Sequence, residues 1–217
     1  MKFSQHFFAL KTTKQDLIKI LEALRNASVG TDPANPQIVD NGGPVEIQNL
    51  VTQLGHRSSS DTATMVTLSS GVQLISKPSK LKVPPWQMVS SLLGGVPLRT
   101  ATWWNAPKIN STTATTHIGC WDSALSAPGA VEIATSGQWD GTTIGLKAGA
   151  NHAKIGVSTD ANSDLSVFGD LNQQGVLSDS TCNSSQNGRG GLFFVIKDRE
   201  LAKDIGKLIK GDSAPTD

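Results

Sequence analysis

The chain has 217 residues, of which 37% are hydrophobic and 17% charged, and its formal net charge is +1 at pH 7. A charge so close to zero excludes a general attraction to polyanions as the basis of function and excludes the highly charged kind of intrinsic disorder. Small polar residues and 21 Gly fill many of the remaining positions, which is typical of a β-rich protein with many turns.

The first elements in chain order are predicted to be helices. Apolar residues recur at helical spacing between residues 17 and 24, which predicts a helix over about 13–26. Thr12 and Gln15 fit a capping box at its start. After a connector rich in Pro, Asn and Gly, Pro44 suits the first position of a second short helix.

The middle of the chain changes to the alternation typical of strands. Two apolar segments flank Ser69-Ser70-Gly71 and predict a hairpin. Pro84-Pro85 predicts the start of a short helix. Further strands are expected over 98–104, 113–121, 131–135, 142–148, 153–158 and 165–168, with 142–148 and 153–158 paired as a hairpin.

The end of the chain completes the prediction of the fold. Residues 192–196 form a continuous apolar run that predicts a central buried strand, and an amphipathic helix is expected over 198–210. The last seven residues are expected to be mobile by themselves. This order predicts an α+β fold: a mostly antiparallel β-sheet or sandwich with an N-terminal helical region and a C-terminal helix. We expect a helical region at 1–61 and a β-rich domain at 62–217, or one single domain over 1–217.

Charged residues are segregated along the sequence. Residues 62–121 contain five basic and no acidic residues, whereas residues 122–180 contain seven acidic and two basic ones. Such segments either fold against each other or form two faces that join neighbouring copies into rings or lattices. The N-terminal phenylalanines dock on such a neighbour or pack on their own domain. The residues of the predicted assembly interface are Phe3, Phe7, Phe8, Lys77, Lys80 and Lys82, with Asp160, Asp164 and Asp170 of the next copy facing the lysines.

No motif in the sequence identifies a reaction or a cofactor. The chain has no G-x-S-x-G and no phosphate-binding glycine loop, and its four His are not at metal-motif spacing. A hydrolase remains an alternative only if its catalytic residues, including His117 or His152, come together from distant parts of the sequence. Residues 160–164 read D-x-N-x-D, but Leu165 and Leu171 stand where a calcium loop needs Gly and Glu. We therefore expect no catalytic residue, metal or cofactor.

The two cysteines allow at most one disulfide. Cys120 and Cys182 are 62 positions apart and belong to no CxxC motif. In an intracellular product, free buried thiols are more common than a bridge. We expect free cysteines, with a disulfide as the alternative.

The tryptophans provide a second functional hypothesis. Four of them lie among basic residues, as in single-strand nucleic-acid platforms, but five charges in 60 residues are few. Adjacent Trp103 and Trp104 would also point to opposite faces of a strand. Nucleic-acid binding is therefore not expected. Exposed Trp side chains would instead form a glycan-binding surface.

Composition, segregated charge and amphipathic helices together predict a non-enzymatic structural protein that associates with copies of itself and with other assembly proteins. Within this class we expect a virion component of a virus or phage: a capsid, decoration or tail subunit. The apolar stretch 7–10 is too short for a signal peptide, and no stretch reaches the length of a membrane span. We expect synthesis in the host cytoplasm, location in the virion and no membrane partner. A glycan-binding β module is the alternative, and a hydrolase with a non-local site is less favoured.

Overall fold

A computed structural model of the protein describes residues 9–29, 43–146 and 151–217. Within these ranges the chain forms four α-helices and nine β-strands. The helices are α1 (Lys14–Asn26), α2 (Val45–Thr52), α3 (Pro85–Leu92) and α4 (Arg199–Leu208). The strands are β1 (Thr64–Thr67), β2 (Gln73–Lys77), β3 (Leu98–Ala101), β4 (Val131–Ile133), β5 (Ser136–Trp139), β6 (Thr142–Gly145), β7 (Ile155–Ser158), β8 (Leu165–Gly169) and β9 (Gly191–Lys197).

Seven of these strands form one mixed sheet in the order β1-β2-β9-β8-β7-β3-β4. Its pairs are antiparallel except for β3 and β4, which are parallel. Strands β5 and β6 form a separate antiparallel hairpin. The predicted α+β class is confirmed, and the apolar run 192–196 is confirmed as a strand between β2 and β8.

Helix α1 forms where the apolar spacing predicted it, and its first turn shows why. The Thr13 side chain accepts a hydrogen bond from the Asp16 N–H, and the Asp16 carboxylate accepts one from the Thr13 N–H. This capping box lies one residue later than the predicted pair of Thr12 and Gln15. Asp16 also accepts hydrogen bonds from the N–H and hydroxyl of Ser69, which tie the helix start to the β1–β2 turn. Hydrogen bonds from Ser69 and Thr13 hold the pKa of the Asp16 carboxyl well below its usual range.

One face of the sheet is covered by α1 and α4. The strand register places Leu74, Phe194, Phe168 and Ile155 in one row across the sheet, so their side chains share this face. Helix α1 packs at the β2–β9 end of the row and α4 at the β8–β7 end. The N-terminal helix thus shares a core cluster with the sheet, while the division at residue 61 stays a prediction.

The other face of the sheet is covered by α3 and the long connections. Trp86 of α3 is fully buried and meets Phe193 edge to face, with ring centroids 5.3 Å apart. Its indole N–H donates to the Leu171 carbonyl at 3.0 Å. This pairing satisfies the polar atom of the largest buried side chain while the ring fills the core.

Two predicted strand arrangements are wrong. Residues 113–121 form turns and irregular backbone rather than a strand. Residues 142–148 and 153–158 do not pair with each other, because β6 pairs with β5 while β7 lies between β3 and β8. Asp140 and Gly141 have φ of 47° and 73°, the positive values that a two-residue hairpin turn between β5 and β6 requires.

Candidate functional site

One edge of the seven-stranded sheet is closed by the chain itself. Thr112 and Val131 of β4 exchange two backbone hydrogen bonds of 2.9 and 3.0 Å. Further along the same strand, the Ala214 N–H donates to the Ile133 carbonyl at 2.8 Å. Residues 211–217 therefore form a C-terminal strap beside β4, and the expectation of a tail that is mobile by itself is corrected.

Arg99 on β3 holds the C-terminal strap in place. Its guanidinium is largely buried and forms an ion pair with the Glu132 carboxylate at 2.8 Å. This ion pair joins the basic segment of the sequence to the acidic one within a single chain. The guanidinium donates to the carbonyls of Ile209, Gly211 and Asp212 and to the Ser213 hydroxyl at 2.6–3.0 Å.

The opposite edge of the sheet is open. Strand β1 pairs with β2 on one side, and no strand of the described residues pairs with its other side. Its residues are exposed apart from the half-buried Val66. The large apolar side chains that are exposed in the described chain belong to this N-terminal part: Leu17 on α1 (38%), Val45 on α2 (70%) and Met65 on β1 (40%).

The phase of the β1–β2 ladder determines which backbone groups face outward. The Leu68 N–H donates to the Val72 carbonyl, directly opposite, so this is a hydrogen-bonded pair. Because such pairs alternate along an antiparallel ladder, Met65 and Thr67 direct their N–H and C=O groups away from β2. The Lys19 ammonium donates to the Thr67 carbonyl at 2.6 Å, as this phase requires. The open edge is therefore centred on Met65.

Lys77 does not lie on the surface, which corrects one member of the predicted basic patch. Its side chain is fully buried, and its ammonium donates to the carbonyls of Leu81, Asn187 and Arg189 at 2.5–2.9 Å. Burial lowers the pKa of Lys77 to about 7. This ammonium joins β2 and the connection that follows it to the segment 187–189 inside one molecule.

The two neighbouring lysines remain on the surface. Lys80 and Lys82 are exposed. Backbone hydrogen bonds from Cys182 and Thr181, with a smaller contribution from the Lys82 charge, hold the pKa of Asp179 below its usual value. Lys82 therefore has an acidic neighbour in its own chain.

Two of the three predicted acidic partners, Asp160 and Asp170, accept hydrogen bonds within their own chain. Asp160 accepts hydrogen bonds from the Asn162 N–H and the Ser163 hydroxyl, the pattern of an Asx turn. Asp164 has a φ of 47° in the same turn region. Asp170 accepts the Leu192 N–H at 2.9 Å. Desolvation of its carboxyl by the surrounding protein raises the pKa of Asp170 to about 6, although the residue as a whole is exposed. Whether these residues meet Lys80 and Lys82 of another copy stays a prediction.

Phe3, Phe7 and Phe8, the remaining members of the predicted interface, lie outside the described residues. Their docking on a neighbour or on their own domain stays a prediction.

The described tryptophan rings are at least partly covered. Trp86 is fully buried, and Trp103, Trp104 and Trp121 are half-buried. The Trp104 indole N–H donates to a backbone carbonyl at 2.6 Å, and the Trp103 ring stacks on His152 with centroids 4.9 Å apart. These rings offer less open area for sugar stacking than the sequence suggested.

The expectation of free cysteines is wrong, because Cys120 and Cys182 form a disulfide with their Cα atoms 5.3 Å apart. The Cys120 N–H donates to the Leu177 carbonyl at 2.8 Å, and this contact brings the two loops together. The Asp179 carboxylate lies beside the two sulfur atoms. Because these sulfurs are bonded to each other, the three residues do not form a set of free metal ligands.

The described helices are all too short or too polar to cross a membrane. No protein-family model matches the chain, and no curated protein is similar to it. The sheet edges and the residues around them are therefore the features from which a function can be inferred.

Proposed function

We propose that the protein is a non-enzymatic structural protein that associates with copies of itself, and that it serves as a capsid, decoration or tail subunit of a virus or phage particle. The observation that carries this proposal is the difference between the two edges of the main sheet. One edge is closed by the C-terminal strap, and the other has no strand partner among the described residues.

An open sheet edge is a template for another strand, and monomeric proteins usually protect it with charge, proline, a bulge or a covering segment. The β1 sequence Thr-Met-Val-Thr contains neither a charged residue nor a proline. Lys19 supplies a charge only at the Thr67 carbonyl, at one end of the strand. Within the described parts of the chain, no strand pairs with the outward side of Met65, so its backbone groups and side chain can contact a second copy.

The charged faces predicted from the sequence have a smaller part in this proposal. Of the five basic residues in 62–121, Lys77 and Arg99 are buried and bound within the chain. Lys108 is exposed and lies over the Trp104 ring, with its Nζ 4.3 Å from the ring centroid. Lys80 and Lys82 are the exposed cations that can orient a neighbouring copy. Complementary charge of this kind adds more to encounter rate and register than to affinity.

The disulfide supports location in a particle. Disulfides persist in oxidising surroundings, which include the surfaces of virions, and are rare in the reducing cytosol. A subunit made in the host cytoplasm and then carried in a released particle meets both environments. On this proposal the partners are copies of the chain and other particle proteins, without a requirement for nucleic acid or membrane.

The test is the mass of the full-length protein, measured by size-exclusion chromatography with light scattering over a range of concentrations. We expect the wild type to form a multimer whose mass rises with concentration. Met65→Lys places a charge on the open edge and should shift the protein toward the monomer. The matched control is Thr142→Lys, an exposed position on the separate β5–β6 hairpin, which should leave the multimer unchanged.

Two results would contradict the proposal. The first is a wild-type protein that stays a monomer at every concentration. The second is an equal loss of mass in Met65→Lys and Thr142→Lys, which would show that any added charge disturbs the multimer. Circular dichroism of both variants establishes that the fold is retained.

A further inference from the structure

The open edge of the sheet can be completed by the identical edge of a second copy, in one register. We propose that β1 pairs antiparallel with β1 of a second copy, about a two-fold axis that passes beside Met65. This inference rests on the proposed function, because it specifies the contact through which the copies associate.

Edge-to-edge growth of the sheet cannot continue in one direction. Head-to-tail addition would join β1 of one copy to β4 of the next. The β4 edge is occupied by Thr112 and the C-terminal strap, whose hydrogen bonds to Val131 and Ile133 are 2.8–3.0 Å long. Within the seven-stranded sheet, the described β1 edge therefore has its free counterpart in the β1 edge of another copy. Pairing of two identical edges is isologous and closes at a dimer.

The outward backbone groups of β1 determine the register of the pair. Met65 directs both its N–H and its C=O outward, so two Met65 residues placed opposite each other exchange two hydrogen bonds. The next outward pair in this register is Thr67 of one copy with Ala63 of the other, two residues further on. The Thr67 N–H then donates to the Ala63 carbonyl, and the Lys19 ammonium remains bound at the end of the ladder.

The same register brings the two Met65 side chains together. Met65 lies directly opposite Ile75 in the β1–β2 register, so its side chain is on the α3 face of the sheet. In the proposed pair the two Met65 side chains are neighbours on that face and cover each other's exposed surface. The two Lys19 ammonium groups lie at opposite ends of the ladder, so the register avoids placing like charges together.

The contact is small, and this has a consequence for assembly. Four backbone hydrogen bonds and one pair of methionines form a weak interface by themselves, so the dimer should depend on concentration. Within a particle, other contacts between the same copies raise the effective concentration and make a weak edge contact sufficient.

Engineered cysteines test the register directly, because the native Cys120 and Cys182 are already bonded to each other. Cα atoms of a hydrogen-bonded antiparallel pair are about 5.5 Å apart, within the range of a disulfide. Met65→Cys should therefore form a covalent dimer under mild oxidation. Thr67→Cys by itself should not, because the two copies of residue 67 would lie about 13 Å apart along the strands.

A mixture of two variants sharpens the same test. Ala63→Cys and Thr67→Cys should each stay uncrosslinked alone and should form a covalent heterodimer when mixed. Thr142→Cys on the β5–β6 hairpin is the control for random collision between exposed thiols. Matching circular dichroism and melting temperatures establish that the variants are folded.

The outcomes separate this inference from the proposed function. A wild type that multimerises while Met65→Cys stays uncrosslinked overturns the β1–β1 pairing and leaves self-association standing. Crosslinking of Thr67→Cys alone overturns the register. A wild type that is monomeric at every concentration overturns both proposals. Dimers of Met65→Cys together with heterodimers of the mixture are the result that we expect.

Discussion

The two edges of the main sheet are completed in opposite ways, although both belong to the same sheet of the same chain. At β4 the C-terminal strap covers the edge. Arg99 holds it through hydrogen bonds to Gly211, Asp212 and Ser213 of the strap and to Ile209 just before it. At β1 the described chain supplies only the Lys19 ammonium at one carbonyl. Hydrogen bonds from the chain's own segments finish the β4 edge, whereas β1 has neither such a covering segment among the described residues nor a charged residue or proline of its own.

The largest expected effect comes from opening the closed edge. Arg99→Met keeps much of the side-chain volume but leaves Glu132 without its cation and the strap carbonyls without their donor. We expect the free energy of unfolding to fall by about 3 kcal/mol or more in denaturant titrations. The matched control is Lys203→Met on the exposed side of α4, where loss of the Glu200 pair should cost less than about 0.5 kcal/mol. Similar losses in the two variants would show that the strap is held by other contacts.

The next effect concerns the disulfide between Cys120 and Cys182. Replacing both residues of the disulfide, Cys120→Ala with Cys182→Ala, should lower the free energy of unfolding by about 2–4 kcal/mol. The wild type measured in reductant serves as the control and should approach the double variant. If oxidised, reduced and substituted proteins unfold at the same denaturant concentration, the bridge does not stabilise the fold.

A smaller effect concerns β2, the strand next to the open edge. Lys77→Met removes the ammonium that binds three backbone carbonyls and should cost about 1–3 kcal/mol of unfolding free energy. Thermal or denaturant unfolding at neutral pH measures this loss. The exposed Lys80→Met is the matched control and should be nearly neutral.

The same pair of variants predicts a pH dependence with a definite sign. Lys77 has a pKa of about 7 in the folded protein, against about 10.4 for an unperturbed lysine. Between these values the unfolded state binds more protons, so the contribution of Lys77 makes the wild type more stable as the pH rises from about 7 to about 10. The stability difference between wild type and Lys77→Met should grow over this window and stay constant below it. A constant difference throughout would contradict the lowered pKa.

Local patterns in the sequence predicted the elements that depend on local physics. The helical stripe before residue 26 and the apolar run 192–196 both formed as expected. Ile20 and Leu24 of the stripe pack on the sheet, although Leu17 at its start stays exposed, and the run supplies a strand of the core. The hairpin β5–β6 was missed although Asp140-Gly141 is a strong two-residue turn signal. The alternation in 142–148 and 153–158 predicts one hairpin, but β6 pairs with β5 while β7 pairs with β3 and β8.

The features that determine the candidate site depend on distant parts of the chain. A count of charges cannot show that Lys77 is buried against two carbonyls more than 100 positions away, or that Arg99 binds the C-terminal strap. The same holds for the disulfide, whose cysteines are 62 positions apart. Sequence spacing identifies neither buried partners nor an uncovered edge, because both follow from the order of strands in the sheet.

Hydrogen exchange measured at several protein concentrations tests the contrast between the two edges most directly. Mass spectrometry of peptides that cover β1 and β4 reports both edges in one experiment, with light scattering of the same samples to follow mass. We predict slow exchange for β4 at all concentrations, and exchange at Met65 and Thr67 of β1 that is fast in dilute protein and slows as the multimer forms. If β1 exchanges at the same rate in monomer and multimer while the mass rises, the copies associate through another surface and the account is contradicted.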